Sequence, residues 1–157
     1  MQLILPPEIG QRVVEQLRVA GSRETGGLLM GEHVGPDTFR VLDLTVDQGG
    51  GSFARFLRNF RRHGRGLFDF FRRTGRQFQR FNYLGEWHSH PSFGLDPSGT
   101  DLATMRGIVD DPHVGANFAV LLIVRLSPHG ILEARATHHL PSRPEALPVD
   151  LVLEGVA

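Results

Sequence analysis

The sequence predicts an α/β or α+β fold around a mixed sheet. Segments whose apolar residues recur at helical spacing alternate along the chain with short apolar or alternating segments, the pattern that packs helices against a sheet. The 157 residues suit one hydrophobic core, so a single domain over 1–157 is expected. Neither an internal repeat nor a low-complexity tail interrupts that pattern.

The elements follow in order. Leu3–Leu5 reads as a short apolar strand. Pro7 then opens a helix at a favoured first position, Ile9, Val13, Val14 and Leu17 supply its buried stripe, and Gly21 stops it. Gly27–Gly31 and Phe39–Val46 read as two strands joined through Gly35-Pro36-Asp37 as a hairpin. Gly49-Gly50-Gly51 is expected to be a flexible joint. Beyond it, Phe53, Phe56, Leu57 and Phe60, then Leu67, Phe68, Phe71 and Phe78, have helical spacing broken by Gly64, Gly66 and Gly75, which predicts two helical pieces. Tyr83–His90 reads as a strand entering a loop rich in Pro and Gly. A helix over Gly99–Asp110 is capped by Ser98. Phe118–Val124 and Ile131–His138 are strands joined by Ser127-Pro128-His129-Gly130, and the Pro-rich tail ends in a short strand, Val149–Leu153.

Several function classes are excluded early. With no cysteine, the chain has no disulfide, no thiolate-held zinc or iron–sulfur cluster and no cysteine nucleophile, so any metal must be held by His and carboxylate. No apolar run approaches the roughly 18–20 residues of a membrane span. The start, Met1 to Glu8, turns acidic too soon for a signal peptide, which makes the cytoplasm the expected address. The zero net charge conceals an asymmetry. Residues 52–80 carry nine arginines and one acid, Asp69, a net +8, and the rest of the chain carries −8. Every basic residue is Arg, which codon bias explains better than any pressure to avoid modifiable amines.

The chemistry concentrates in His88-Ser89-His90-Pro91, followed by Ser98 and Asp101. Residues two apart on a strand share a face at roughly 6.5–7 Å, so both imidazoles can converge on one ion at about 2.0–2.1 Å. A ten-residue loop then returns Asp101 in the first turn of the next helix. Two imidazoles and a carboxylate with a fourth position open suit catalytic Zn²⁺. Ser98-x-x-Asp101 is also a helix-start pattern in its own right. Asp96 is the rival carboxylate, disfavoured because it follows His90 too closely across Pro91 and Gly94. A hydrolytic metal site also needs a general base, and Glu24, just ahead of an apolar strand where Gly26 and Gly27 allow close backbone approach, is the candidate.

Glu24-x-x-Gly27 with Leu29-x-Gly31, then His88-Ser89-His90-Pro91, Ser98 and Asp101, resembles the JAMM (JAB/MPN) metalloprotease motif in every element. The resemblance implies a deaminase-like α/β/α arrangement with a mixed central sheet. It implies His88, His90 and Asp101 as ligands of one Zn²⁺ with water as the fourth, Glu24 as general acid/base, and Ser98 as the hydroxyl that stabilises the oxyanion. The lead-in Tyr83-Leu84-Gly85-Glu86-Trp87 looks most like the bacterial JAB branch, whose members are associated with ubiquitin-like conjugation in antiphage operons. The implied activity is cleavage after the C-terminal glycine of a ubiquitin-like protein, by deconjugation or precursor processing. The implied partners are that protein, its conjugates and activating or conjugating proteins of the same operon. Trimming of ubiquitin-like sulfur carriers is a sister use. The Pro91–Ser98 loop also resembles the RadC branch, although Ser89 stands where that branch usually has Asn. Glu86 departs from the apolar or aromatic residue common in eukaryotic members. Sharing a face with His88, it is a candidate to support that ligand from behind, and equally a solvated residue or an arginine partner.

The remaining histidines, His33, His63, His113, His129, His138 and His139, lack metal spacing and are read as structural or surface residues. For residues 52–80 the expectation is an amphipathic helix pair that buries Phe and exposes Arg. Docking of an acidic protein patch is the next reading. Nucleic acid is disfavoured, because eight Phe between 52 and 81 without one Trp or Tyr suit core packing better than base stacking, and the glycines weaken any membrane-surface helix.

Overall fold

The structure is a computed structural model describing residues 1–47 and 60–155, with 60–63 as backbone only. Among the described residues it contains strands β1 (Gln2–Leu5), β2 (Gly26–Gly35), β3 (Thr38–Leu44), β4 (Phe81–Ser89), β5 (Ala119–Leu126), β6 (Leu132–His139), β7 (Leu147–Pro148) and β8 (Asp150–Leu153), and helices α1 (Pro7–Ala20), α2 (Phe60–Arg73) and α3 (Gly99–Val109). The strands form one sheet in the order β7-β6-β5-β4-β2-β3-β1-β8. β4 runs antiparallel to β2 and parallel to β5, and β1 runs parallel to both β3 and β8, so the sheet is mixed. The fold is α/β, as the alternation of elements predicts.

β5 explains why helices lie on both faces. All six residues from Ala119 to Val124 are buried, the unbroken apolar run expected of a strand covered on both sides. Val120, Leu122 and Val124 join Ile9, Val13 and Leu17 of α1, whereas Ala119, Leu121 and Ile123 join Met105, Ile108 and Val109 of α3. Each such fully buried side chain stabilises the fold by about 1.5–3 kcal/mol, far more than the propensity of either short helix. The two-residue β7 pairs with β6 at one edge and β8 pairs with β1 at the other. Only Val149 separates them, so the sheet curls until its edges lie one residue apart. The predicted final strand over 149–153 is β8, and β7 just before it is a further strand at the opposite edge.

The basic segment departs from expectation. The joint Gly49–Gly51 and the helical piece containing Phe53, Phe56 and Leu57 lie outside the described residues. Within them, α2 runs unbroken through Gly64 and Gly66 rather than being interrupted there. The reason is a close approach: a Cβ at Gly66 would stand 2.6 Å from Thr45 Cγ2. Contact with the strand offsets the helix cost of about 1 kcal/mol for a glycine. Burial of Phe also holds only in part, since Phe70 is buried while Phe68 is exposed. Asp43 on β3 secures the helices, accepting from Arg12 of α1 at 2.7 Å and pairing with Arg73 of α2. No described helix is long and apolar enough to cross a membrane.

Candidate active site

The site forms where β4 ends. Gly26 of β2 stands opposite His88, and a Cβ there would meet the Trp87 carbonyl at 2.4 Å and His88 Cβ at 2.9 Å, so only glycine allows this approach. Ser89 locks the junction: its N–H donates to the Thr25 carbonyl at 2.8 Å, and its Oγ accepts the Thr25 N–H at 3.0 Å. On the other side, the His90 N–H donates to the Val124 carbonyl of β5 at 2.9 Å. Both flanking strands therefore fix the backbone carrying the two imidazoles, and strand alternation turns both to one face.

Asp101 arrives through helix capping. Ser98 is the N-cap of α3, its Oγ accepts the Asp101 N–H at 3.2 Å, and its own N–H donates to Asp101 Oδ2 at 2.7 Å. This reciprocal box sets the first turn and aims the carboxylate at the imidazoles. His88 Nε2 and His90 Nε2 are 3.0 Å apart. Asp101 Oδ1 is 3.5 Å from His88 Nε2, and Oδ2 is 3.7 Å from His90 Nε2. Burial acts to raise the Asp101 carboxyl, but hydrogen bonds from His88 and Ser98 outweigh it and hold the group below the usual carboxylate range.

These three side chains could hold a metal ion, and the donor chemistry fits one. His90 Nδ1 lies 2.7 Å from the Gly94 carbonyl. A carbonyl only accepts, so Nδ1 carries the proton and the Nε2 lone pair of neutral His90 points inward. Two inward imidazole nitrogens beside a carboxylate make a donor set suited to a cation or a shared proton. Donors about 2.0–2.1 Å from a tetrahedral ion lie about 3.3 Å from one another, and the observed separations, the two to Asp101 being from its different oxygens, fall on either side of that value.

The other sequence candidates fall as follows. Glu24 is exposed, one residue before the anchored Thr25. Asp96 is exposed and pairs with Arg135, away from the cluster. Glu86 is 2% exposed, neither solvated nor paired with arginine, and accepts from the Tyr83 hydroxyl at 3.3 Å. Burial pushes its carboxyl well above the usual range, against the opposing Tyr83 hydrogen bond. Local pattern could not reveal this pair, because residues three apart face opposite ways on a regular strand. A register shift against β2 between Leu29 and Met30 brings them together. They line a cavity of about 1020 Å³ with Leu28, Leu67, Phe71 and Ile108. Of the other histidines, His33 stacks on Phe39, His113 is exposed beside Asp111, and His139 is buried against Thr137.

Comparison with known proteins bears on this arrangement. Residues 6–137 match the family model described as prokaryotic homologs of the JAB domain. A CD-NTase/cGAS isopeptidase of Enterobacter hormaechei subsp. hoffmannii (strain UCI 50) is 29% identical over 124 residues, covering 76% of this chain. The match spans 65% of that relative's length. Among solved structures, a solution structure of a Desulfitobacterium hafniense protein superposes with a TM-score of 0.67 at 21% identity, covering 98% of this chain and 93% of the other. A JAB1/MPN domain protein of Archaeoglobus fulgidus aligns over 96% of this chain and 98% of its own, at 16% identity and a TM-score of 0.47.

Proposed function

The chain belongs to the family of prokaryotic homologues of the JAB domain, and from that premise we propose that it is a zinc-dependent peptidase that cleaves after the C-terminal glycine of a ubiquitin-like protein, releasing it from conjugates or precursors. The observation that carries this reading is the convergence of His88, His90 and Asp101 at separations suited to one tetrahedral ion. The name of the Enterobacter relative supports an isopeptidase acting on conjugates in a CD-NTase/cGAS setting, so we assign the chain to an antiphage conjugation system. Its partners there are the ubiquitin-like protein, its conjugates and the activating and conjugating proteins that make them.

His88, His90 and Asp101 would hold the zinc ion, which would supply Lewis-acid polarisation of the scissile carbonyl and lower the pKa of water towards about 7. The protein's own groups divide the remaining work. Glu24 directly precedes Thr25, which two hydrogen bonds tie to Ser89 between the two histidines. From there its carboxylate takes the proton of the attacking water and delivers it to the departing amine. Ser98 Oγ accepts the Asp101 N–H, and its hydroxyl hydrogen, which bonds the Asp101 carboxylate in the resting site, turns to the carbonyl oxygen as negative charge develops there. Asp101 and His90 are oriented by backbone groups, so the acceptor set is built before substrate arrives.

The test uses a ubiquitin-like protein joined through its terminal glycine to a lysine amine. Wild type should release it, a chelator should stop release, and added Zn²⁺ should restore it. Glu24→Gln should keep its metal and lose about 10²–10⁴ of the rate. Undiminished cleavage by Glu24→Gln, or cleavage indifferent to chelation, would refute the proposal.

A further inference from the structure

The segment joining the ligand His90 to the cap Ser98 is fastened at two points by arginines from neighbouring strands. At the end of β5, Arg125 donates from Nη1 to the Phe93 carbonyl at 3.0 Å, while its Nε is held by Glu133 of β6 at 2.6 Å. Further along β6, Arg135 pairs with Asp96. Arg125 stands opposite Glu133 and Ile123 opposite Arg135, so all three charged residues share the face on which Ile123 meets α3. His88 is the β4 partner of Ile123 in the parallel register, so the imidazoles emerge on that face as well.

Between the fastened points lies Gly94, whose carbonyl orients His90 through Nδ1. Fixing the Phe93 carbonyl fixes the peptide plane entering Gly94. A glycine sets little of its own φ and ψ, so without that anchor the Gly94 carbonyl is free to swing away from the imidazole. Phe93 itself is 63% exposed and meets His90 edge-on at 6.2 Å, so its side chain supplies no buried anchor for the loop. The backbone hydrogen bond from Arg125 has to do so.

We propose that Arg125 is a positioning residue for the metal ligand His90, acting through the Phe93–Gly94 backbone and braced by Glu133. The inference rests on the zinc reading above. Partners that orient a metal-ligating histidine typically alter metal affinity 10–100-fold when removed. Arg125 acts through one intervening residue, which places its effect at the low end. Arg135 holds the far limb through Asp96, whose side chain is 77% exposed, and contributes less.

The experiment measures Zn²⁺ affinity of metal-free protein by competition with a chromophoric chelator, and compares melting temperatures of the metal-free forms. Arg125→Ala should bind Zn²⁺ roughly 10-fold more weakly than wild type, with the metal-free melting temperature almost unchanged. Arg125→Lys should recover part of the loss, since one ammonium cannot span Glu133 and the Phe93 carbonyl as the guanidinium fork does. Arg135→Ala should stay within about twofold of wild type, because a surface ion pair is weak. With Co²⁺, the visible bands of Arg125→Ala should differ from those of wild type, reporting a displaced ligand. Should Arg125→Ala not fold, Glu133→Gln loosens the same arginine and should weaken affinity in the same direction. If wild type binds Zn²⁺ and the Arg125 and Glu133 variants bind it equally well, the inference is overturned while the zinc reading stands. If wild type binds none, both fall.

Discussion

At the end of β4, backbone groups tie Thr25 to Ser89, Ser98 to Asp101, and His90 to Gly94 and Val124. Along α2 charged groups pair at the exposed surface, as in the 3.5 Å pair of Arg72 and Asp69, whose side chains are 71% and 50% exposed. The two regions carry conspicuous chemistry in the sequence, one by motif and the other by a net +8 around it. They differ in how much the fold constrains them. A backbone-fixed donor set has one workable geometry, whereas an exposed ion pair has many and is typically worth about 0–1 kcal/mol. Substitutions should therefore act unequally at the two places.

Ser98→Ala should give the largest effect. Loss of an oxyanion donor costs about 10²–10³ in kcat, and loss of the cap should also destabilise the protein by about 1 kcal/mol. Steady-state kinetics paired with chemical denaturation separate the two contributions. If activity falls only as far as stability does, Ser98 is a cap alone.

Protonation offers the next contrast, between buried and exposed histidines. Burial, assisted by His138 and Arg106, pulls His139 down to about 4. An unfolded chain takes up that proton near its ordinary value of about 6.5. Between those values the unfolded state binds more protons, so the stabilisation present above about pH 6.5 is lost as the pH falls towards 4, amounting to about 3 kcal/mol. Denaturation series across that window should show this slope for wild type and a shallower one for His139→Gln. His113→Gln, at an exposed position, serves as the control.

Gly66 probes a place where α2 is closely constrained. Gly66→Ala gains helix propensity but drives a methyl into Thr45 Cγ2, whose Oγ1 is committed to the Leu28 N–H at 2.9 Å. We expect a net loss of about 1 kcal/mol. Thr45→Ser removes the obstructing methyl and keeps the hydroxyl, so the double variant should recover that loss in a double-mutant cycle. The smallest effect should be that of Arg72→Ala, within about 0.5 kcal/mol of wild type by denaturation.

These contrasts track what could be read in the sequence. Capping by Ser98, the return of Asp101 and the alternation of His88 and His90 are local rules, and the structure has all three. The α1 stripe and the 35–37 hairpin are equally local. Contacts between distant segments were not legible. Gly64 and Gly66 look like helix breakers until Thr45 is seen against the helix. Glu86 reads equally as a support for His88 or a solvated residue until a register shift turns Tyr83 onto it, and Arg125 is an ordinary strand residue until the loop carrying Phe93 folds over it. Periodicity reports which side of an element is buried, and says nothing of what lies against it.

The central claim is that His88, His90 and Asp101 form one zinc site. Its most direct test is metal content, measured by mass spectrometry on protein purified without added metal. Wild type should carry about one zinc per chain and His88→Ala almost none, because two remaining ligands hold the ion poorly. Wild type without zinc, or His88→Ala with as much zinc as wild type, would contradict it.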